Sequence, residues 1–169
     1  MKKIAIVYGS TTGHTKEAAE SIAARLSSYS VQLIDVATLS AEQLTQYPNL
    51  ILGTSTWGSG DLQDDWESFL PKLGKADLSG KIVALFGLGD SSSFSDTFVD
   101  GMAQIHDALQ GSGCTIVGTV DANSYSFDAS LAVSDGKFVG LPLDEDNESN
   151  LSAVRIDSWI ASIEPCFID

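Results

Sequence analysis

The first residues able to do chemistry are a run of hydroxyls around one glycine: Ser10, Thr11, Thr12, Gly13, His14 and Thr15. They follow KIAIVYG, a β-branched run from Lys3 to Gly9 that predicts a buried strand. They precede KEAAESIAAR, where Ala18, Ala19, Ile22, Ala23 and Leu26 fall at helical spacing. A helix N-terminus leaves backbone N–H groups unpaired and carries partial positive charge. Hydroxyl side chains there can wrap a phosphate with N–H and O–H donors alone. The same residues serve a simpler role equally well, with Ser10 or Thr12 capping the helix. The loop is neither a Walker A nor a GxGxxG sequence, and it suits a phosphate monoester better than a nucleoside triphosphate.

Two further loops carry unusual residues. One holds Ser55, Thr56, Trp57, Gly58, Ser59, Gly60 and Asp61; the other holds Gly87, Leu88, Gly89 and Asp90, then Phe94 and Phe98. An aromatic ring flanked by glycines is poorly placed for a core, so Trp57 is either a ligand-facing ring or one packed at a hinge. A flat aromatic ligand between Trp57 and Phe94, with its phosphate in the first loop, uses all three loops.

The elements that must position these loops alternate along the chain. Val31–Asp35 predicts a more exposed strand, and SAEQL from Ser40 carries a capping-box pattern with Gln43. Leu50–Thr54 predicts a buried strand, and Asp64 or Asp65 opens a helix with Trp66, Phe69, Leu70 and Leu73 on one face. Lys81–Leu88 is the most apolar strand. A helix follows from about Thr97 to Leu109, then a fifth strand over Cys114–Val120. The last helix spans roughly Asn150–Ile163, with Leu151, Val154, Trp159, Ile160 and Ile163 inward. Five strand–helix alternations predict an α/β fold with a doubly wound parallel sheet, in one domain over residues 1–169. Asp121–Gly140 interrupts the rhythm and looks like an insertion. In such sheets ligands bind outside the strands' carboxyl ends, where strand order reverses, and all three loops lie there.

Composition narrows the partners. A hydrophobic content of 43% in 169 residues supports one well-buried domain. The net charge of −14 argues against nucleic acid or anionic membranes and favours basic surfaces. Cys114 and Cys166 form no CxxC pair, and no signal peptide or long apolar span is present, so a reducing cytoplasm is expected. No metal-ligand spacing is found; His14 is expected in a loop and His106 on a helix surface.

Four stretches in order, VYGSTTGHT, TSTWGSGDLQDDWESF, FGLGDSSSFSDTFVDG and DGKFVGLPLDEDNESNL with RIDSW, give the chain a resemblance to the long-chain flavodoxins. The resemblance covers the whole length. It implies non-covalent FMN, a five-stranded sheet of order 2-1-3-4-5, and an insertion splitting the fifth strand. It assigns Ser10–Thr15 to the phosphate, Thr56 and Trp57 to the inner flavin face, and Asp90 to the pyrimidine end. Phe94 takes the outer face and Asp146 lies near the site. The chain departs from the family with Phe94 where Tyr is usual, His14 where Asn or Lys is frequent, and Lys16 where Glu is frequent. Stacking needs only the ring face and survives the first change.

The resemblance further implies a low-potential one-electron carrier cycling between semiquinone and hydroquinone. Rotation of the Gly58–Ser59 peptide would offer a carbonyl to the flavin N5–H, and glycine makes positive φ inexpensive. Asp61, Asp64, Asp65, Asp90, Asp96, Asp100 and the run Asp144–Glu145–Asp146 would disfavour a hydroquinone anion. The same acidic rim would attract basic redox proteins, a flavodoxin or ferredoxin reductase as donor and a low-potential acceptor enzyme. A monomer is expected, with no catalytic acid, base or nucleophile. Competing readings are a quinone reductase-type flavoenzyme, a receiver-like module, and the FMN domain of a larger reductase. A receiver would want clustered acids after the first strand and a phosphorylatable Asp after the third, where this chain has hydroxyls and Trp57.

Overall fold

Alternate residues of the apolar strands serve opposite faces of one sheet, and that alternation sets the layers. In the computed structural model, which describes all 169 residues, Ile4 and Ile6 pack with one helix layer while Ala5 and Val7 pack with the other. The chain begins β1 (Lys3–Gly9), α1 (His14–Ala24), β2 (Ser30–Asp35), α2 (Ala41–Leu44), β3 (Asn49–Trp57) and β4 (Asp61–Leu62). It continues α3 (Asp64–Lys75), β5 (Ile82–Leu88), α4 (Asp100–Ala108), β6 (Thr115–Val117) and β7 (Val120–Asp121). It closes with β8 (Val133–Ser134), β9 (Lys137–Phe138), β10 (Leu141–Leu143) and α5 (Ser152–Ile163). Helices α1 and α5 cover one face, through Ile22, Ile156 and Trp159. Helices α3 and α4 cover the other, through Trp66, Phe69 and Met102.

The parallel strands run β2–β1–β3–β5, and the edge beyond β5 is shared by two pieces. Ile82–Ala84 pairs with β6, and Phe86–Leu88 pairs with β10. This is the 2-1-3-4-5 order with its last strand split. The single strand expected over Cys114–Val120 therefore shrinks to Thr115–Val117, and Leu141–Leu143 completes the edge. Between them, β7, β9 and β8 form a small antiparallel sheet. Phe98, Tyr125, Phe127 and Phe138 pack there with ring centroids 5.2 to 6.1 Å apart. The Tyr125 hydroxyl donates to the Pro142 carbonyl at 2.7 Å, and burial pushes its pKa up to about 12.

The capping box of α2 forms as expected, Gln43 N–H donating to Ser40 Oγ and Ser40 N–H to Gln43 Oε1. One helix boundary and one helix face differ from the sequence expectation. Helix α4 starts at Asp100, not Thr97, because Phe98 is bonded elsewhere: its N–H donates to Ala129 O, and Ser130 Oγ donates to its carbonyl. Val99 then turns the chain with φ of 50°. In α5, Val154 is 56% exposed and Ile156 is buried instead. Ile156, Trp159, Ile160 and Ile163 form one stripe, while Val154 sits two residues, about 200° of rotation, away from Ile156. No helix is long and apolar enough to cross a membrane.

Candidate functional site

The carboxyl ends of β1, β3 and β5 meet around a cleft of about 280 Å³. At its first end, Ser10 Oγ accepts the Gly13 N–H at 3.0 Å and closes the turn after β1. Gly13 adopts φ of 100°, and α1 begins directly at His14, so His14 is the first helical residue, not a loop residue. No side chain caps α1, neither Ser10 nor Thr12, so the first-turn N–H groups keep their donor capacity. Thr12, His14 and the buried Thr15 line this end. His14 is the only lining residue able to carry positive charge.

Strand β3 extends to Trp57, beyond the expected Thr54, and β4 pairs back on it antiparallel, Thr56 opposite Leu62 and Trp57 opposite Asp61. The second loop is thus the tip of a β-hairpin. Trp57 is 38% exposed and lines the cleft with Ser55, Thr56 and Gly58, and its other side borders a neighbouring hollow. Ser55 Oγ is buried there without a partner.

From β5, the cleft receives Leu88, Gly89, Asp90 and Phe94, the last 42% exposed. Asp90 Oδ1 accepts the N–H groups of Ser92 and Ser93 and the Asn147 amide at 2.8 Å. Those bonds, the Ser93 N–H foremost, outweigh desolvation and hold its carboxyl below the usual range. Glu145 and Asp146 complete the lining.

Several expected residues stand elsewhere. Phe98 is 1% exposed and belongs to the aromatic core with Tyr125, Phe127 and Phe138, not to the cleft. Gly87 is buried beneath Met102. Ser59 and Gly60 form the hairpin tip outside the cleft lining. Ser10 and Gly13 build the turn, and Thr11 opens on a neighbouring hollow with Asp61, Asp64 and Glu67. Two acids expected on the rim are buried instead. Asp144 accepts the Ser91 hydroxyl and the Asn147 N–H, tying the loop after β5 to the one after β10. Asp100 accepts the Leu131 N–H at 2.8 Å, and desolvation raises its pKa, with Asp96 adding to the effect and that N–H opposing it.

Gln63, beside the cleft, caps α3 through Oε1 and donates to Asp65 and, at 3.4 Å, to Thr11. Glutamine is not a favoured cap, so no signal marked it. Asn147 was legible only as part of DEDN, because its two carboxylate partners, Asp90 and Asp144, come together through folding.

A doubly wound domain with one cleft at its switch point, two half-exposed rings along it and an uncapped helix N-terminus at one end defines a binder of a flat, anion-bearing organic molecule. The flavodoxin family model matches residues 6–159. Curated flavodoxins from Synechocystis and Helicobacter pylori are 41% and 38% identical, each alignment covering 98% or more of both chains. A crystal structure of Fusobacterium nucleatum flavodoxin bound to flavin mononucleotide superposes with a TM-score of 0.95 at 32% identity, over 99% of this chain and 100% of that one. The chain belongs to the flavodoxin family.

Proposed function

We propose that this protein is an FMN-containing, low-potential one-electron carrier that docks on redox partners through an acidic surface. The observation that carries the reading is the pairing, along one cleft, of two half-exposed rings from separate loops with the uncapped N-terminus of α1. The residues present fit FMN: Ser55 Oγ is a buried, unpartnered polar atom in the cleft wall, and the phosphate end offers hydroxyls and N–H donors. Family membership and the FMN-bound relative support the same assignment.

Bound FMN supplies the one-electron chemistry. Thr12, Thr15 and the first-turn N–H groups of α1 hold the phosphate, and Trp57 and Phe94 stack on the ring and keep water away. Asp90 receives the pyrimidine end. Gly58, with φ of 50°, has the backbone freedom by which its peptide with Ser59 would turn a carbonyl toward bound FMN. Asp90, Glu145 and Asp146 line the cleft and raise the cost of added negative charge, which lowers the potential. Full-length similarity to flavodoxins supports a carrier over a quinone reductase-type enzyme. The charge of −14 favours a basic-surfaced reductase as donor and a basic low-potential acceptor. Free Cys114 and Cys166 suit the cytoplasm.

Anaerobic dithionite titration followed in the visible range tests the reading. Yellow protein turning blue and then pale is the expected result. Bleaching in one step, or NADPH oxidation by the protein alone, would move it to the two-electron flavoenzymes. Failure to take up FMN ends the reading.

A further inference from the structure

The two glycines at the hairpin tip have opposite surroundings, although both adopt positive φ, 50° at Gly58 and 100° at Gly60. A Cβ on Gly58 would meet only Asp61 Oδ2, at 3.5 Å. A Cβ on Gly60 would meet Asp100 Oδ2 at 3.1 Å and Asp100 Cβ at 3.3 Å, so Gly60 lies against the first turn of α4. One turn further along, Gln104 Nε2 donates to the Gly60 carbonyl at 3.0 Å. The Gly60 N–H in turn donates to the Trp57 carbonyl at 3.2 Å.

Helix α4 also holds the other leg of the hairpin. The Gly101 N–H, one of its first-turn donors, bonds Thr56 Oγ1 at 3.0 Å, and a Cβ on Gly101 would strike Ser55 O at 2.8 Å. No side chain of the helix's own cap serves that turn. Bonds from α4 therefore fix Thr56 and Gly60, on either side of Trp57, Gly58 and Ser59. Neither Gly58 nor Ser59 bonds another element.

We propose that α4 clamps the hairpin and confines its freedom to the Gly58–Ser59 peptide, with Gln104 as the positioning residue. The inference deepens the flavin reading and rests on it for its redox consequence. A tip free to shift as a whole would relax around the ring in every redox state alike. A tip held at Gly60 must respond by turning one peptide, and that makes its response selective for the reduced ring.

The test uses Gln104→Leu, which keeps a side chain of similar volume without a donor, and Gln104→Glu, which keeps the length and lacks a donor at neutral pH. In the full-length apoprotein, amide hydrogen exchange at Gly60 should quicken about fivefold in both variants, the worth of one neutral hydrogen bond. Exchange at Ile51 and Leu85 in the central strands should stay as in the parent, which separates loosening of the tip from general unfolding. In the FMN-loaded protein, Gln104→Leu should lower the maximum yield of the blue one-electron-reduced form. Unchanged Gly60 exchange in both variants overturns the clamp, whatever the flavin does. Faster exchange with an unchanged blue yield overturns the positioning role. A protein that refuses FMN fails the flavin reading alone, and the apoprotein exchange still decides the clamp.

Discussion

Asp90 shows how much of the cleft is set by single hydrogen bonds. Its depressed pKa means that the folded state holds the carboxylate more tightly than the unfolded chain does. That stabilisation is fully present above the ordinary value of 3.8 and is lost as pH falls below it through the folded value. Asn147→Leu removes one donor from Asp90 and two contacts from Asp144. It should cost about 2 kcal/mol of stability, read as a lower urea midpoint at neutral pH, and move the Asp90 carboxyl resonance titration upward. An Asp90 titration identical to the parent would show that the Ser92 and Ser93 N–H groups suffice. At Gly58, valine would have to adopt φ of 50°, at a cost of about 1–2 kcal/mol. Gly58→Val should therefore stiffen the turning peptide and reduce the blue intermediate in a dithionite titration. An unaltered yield would rule that peptide out as the redox-sensitive group.

Among the elements, the loop after β5 divides its aromatics between two jobs. Phe94 stays half-exposed at the cleft, while Phe98, four residues on, anchors the insertion against α4. Phe94→Leu should weaken FMN binding about tenfold through lost stacking and leave the apoprotein's urea midpoint nearly unchanged. Phe98→Ala should do the reverse, destabilising the apoprotein by about 3–5 kcal/mol through a core cavity. Its milder partner Phe98→Leu should bind FMN within about twofold of the parent, since Phe98 is buried and does not line the cleft. Fluorescence titration with FMN and urea unfolding of the apoprotein separate these outcomes. The insertion is thus part of the scaffold for the loop: Asp128 and Ala129 N–H groups both donate to Ser95 O, and Ser95 Oγ to Asp128.

At the scale of the whole molecule, charge dominates. No lysine or arginine occurs between Lys81 and Lys137, and Asp61, Asp64 and Glu67 ring the hollow beside Trp57. Encounter with a basic redox partner should slow about tenfold as ionic strength rises from about 0.01 M to about 0.5 M. Stopped-flow reduction rates measured across that range check it, and salt-independent rates would place docking on an uncharged face.

The alternation of strands and helices, the sheet's two-faced core and the three loops gathered at one edge are all legible in the order of residues. Apolar spacing carries such local information, and Gly, Ser and Trp in mid-loop mark positions that a core would not choose. The helix of SAEQL is legible there too, because both halves of a capping box lie within one turn. Which of several chemically equivalent side chains line the cleft depends on how the folded elements pack. Phe94 and Phe98 carry the same ring, but the insertion's Tyr125 and Phe138 take one of them. Asp90, Asp100 and Asp144 are the same acid in sequence. One lines the cleft and two are buried, because Leu131 reaches Asp100 and Ser91 reaches Asp144 from distant parts of the chain. Burial and hydrogen bonding depend on long-range pairing, and no residue's neighbours in sequence encode it.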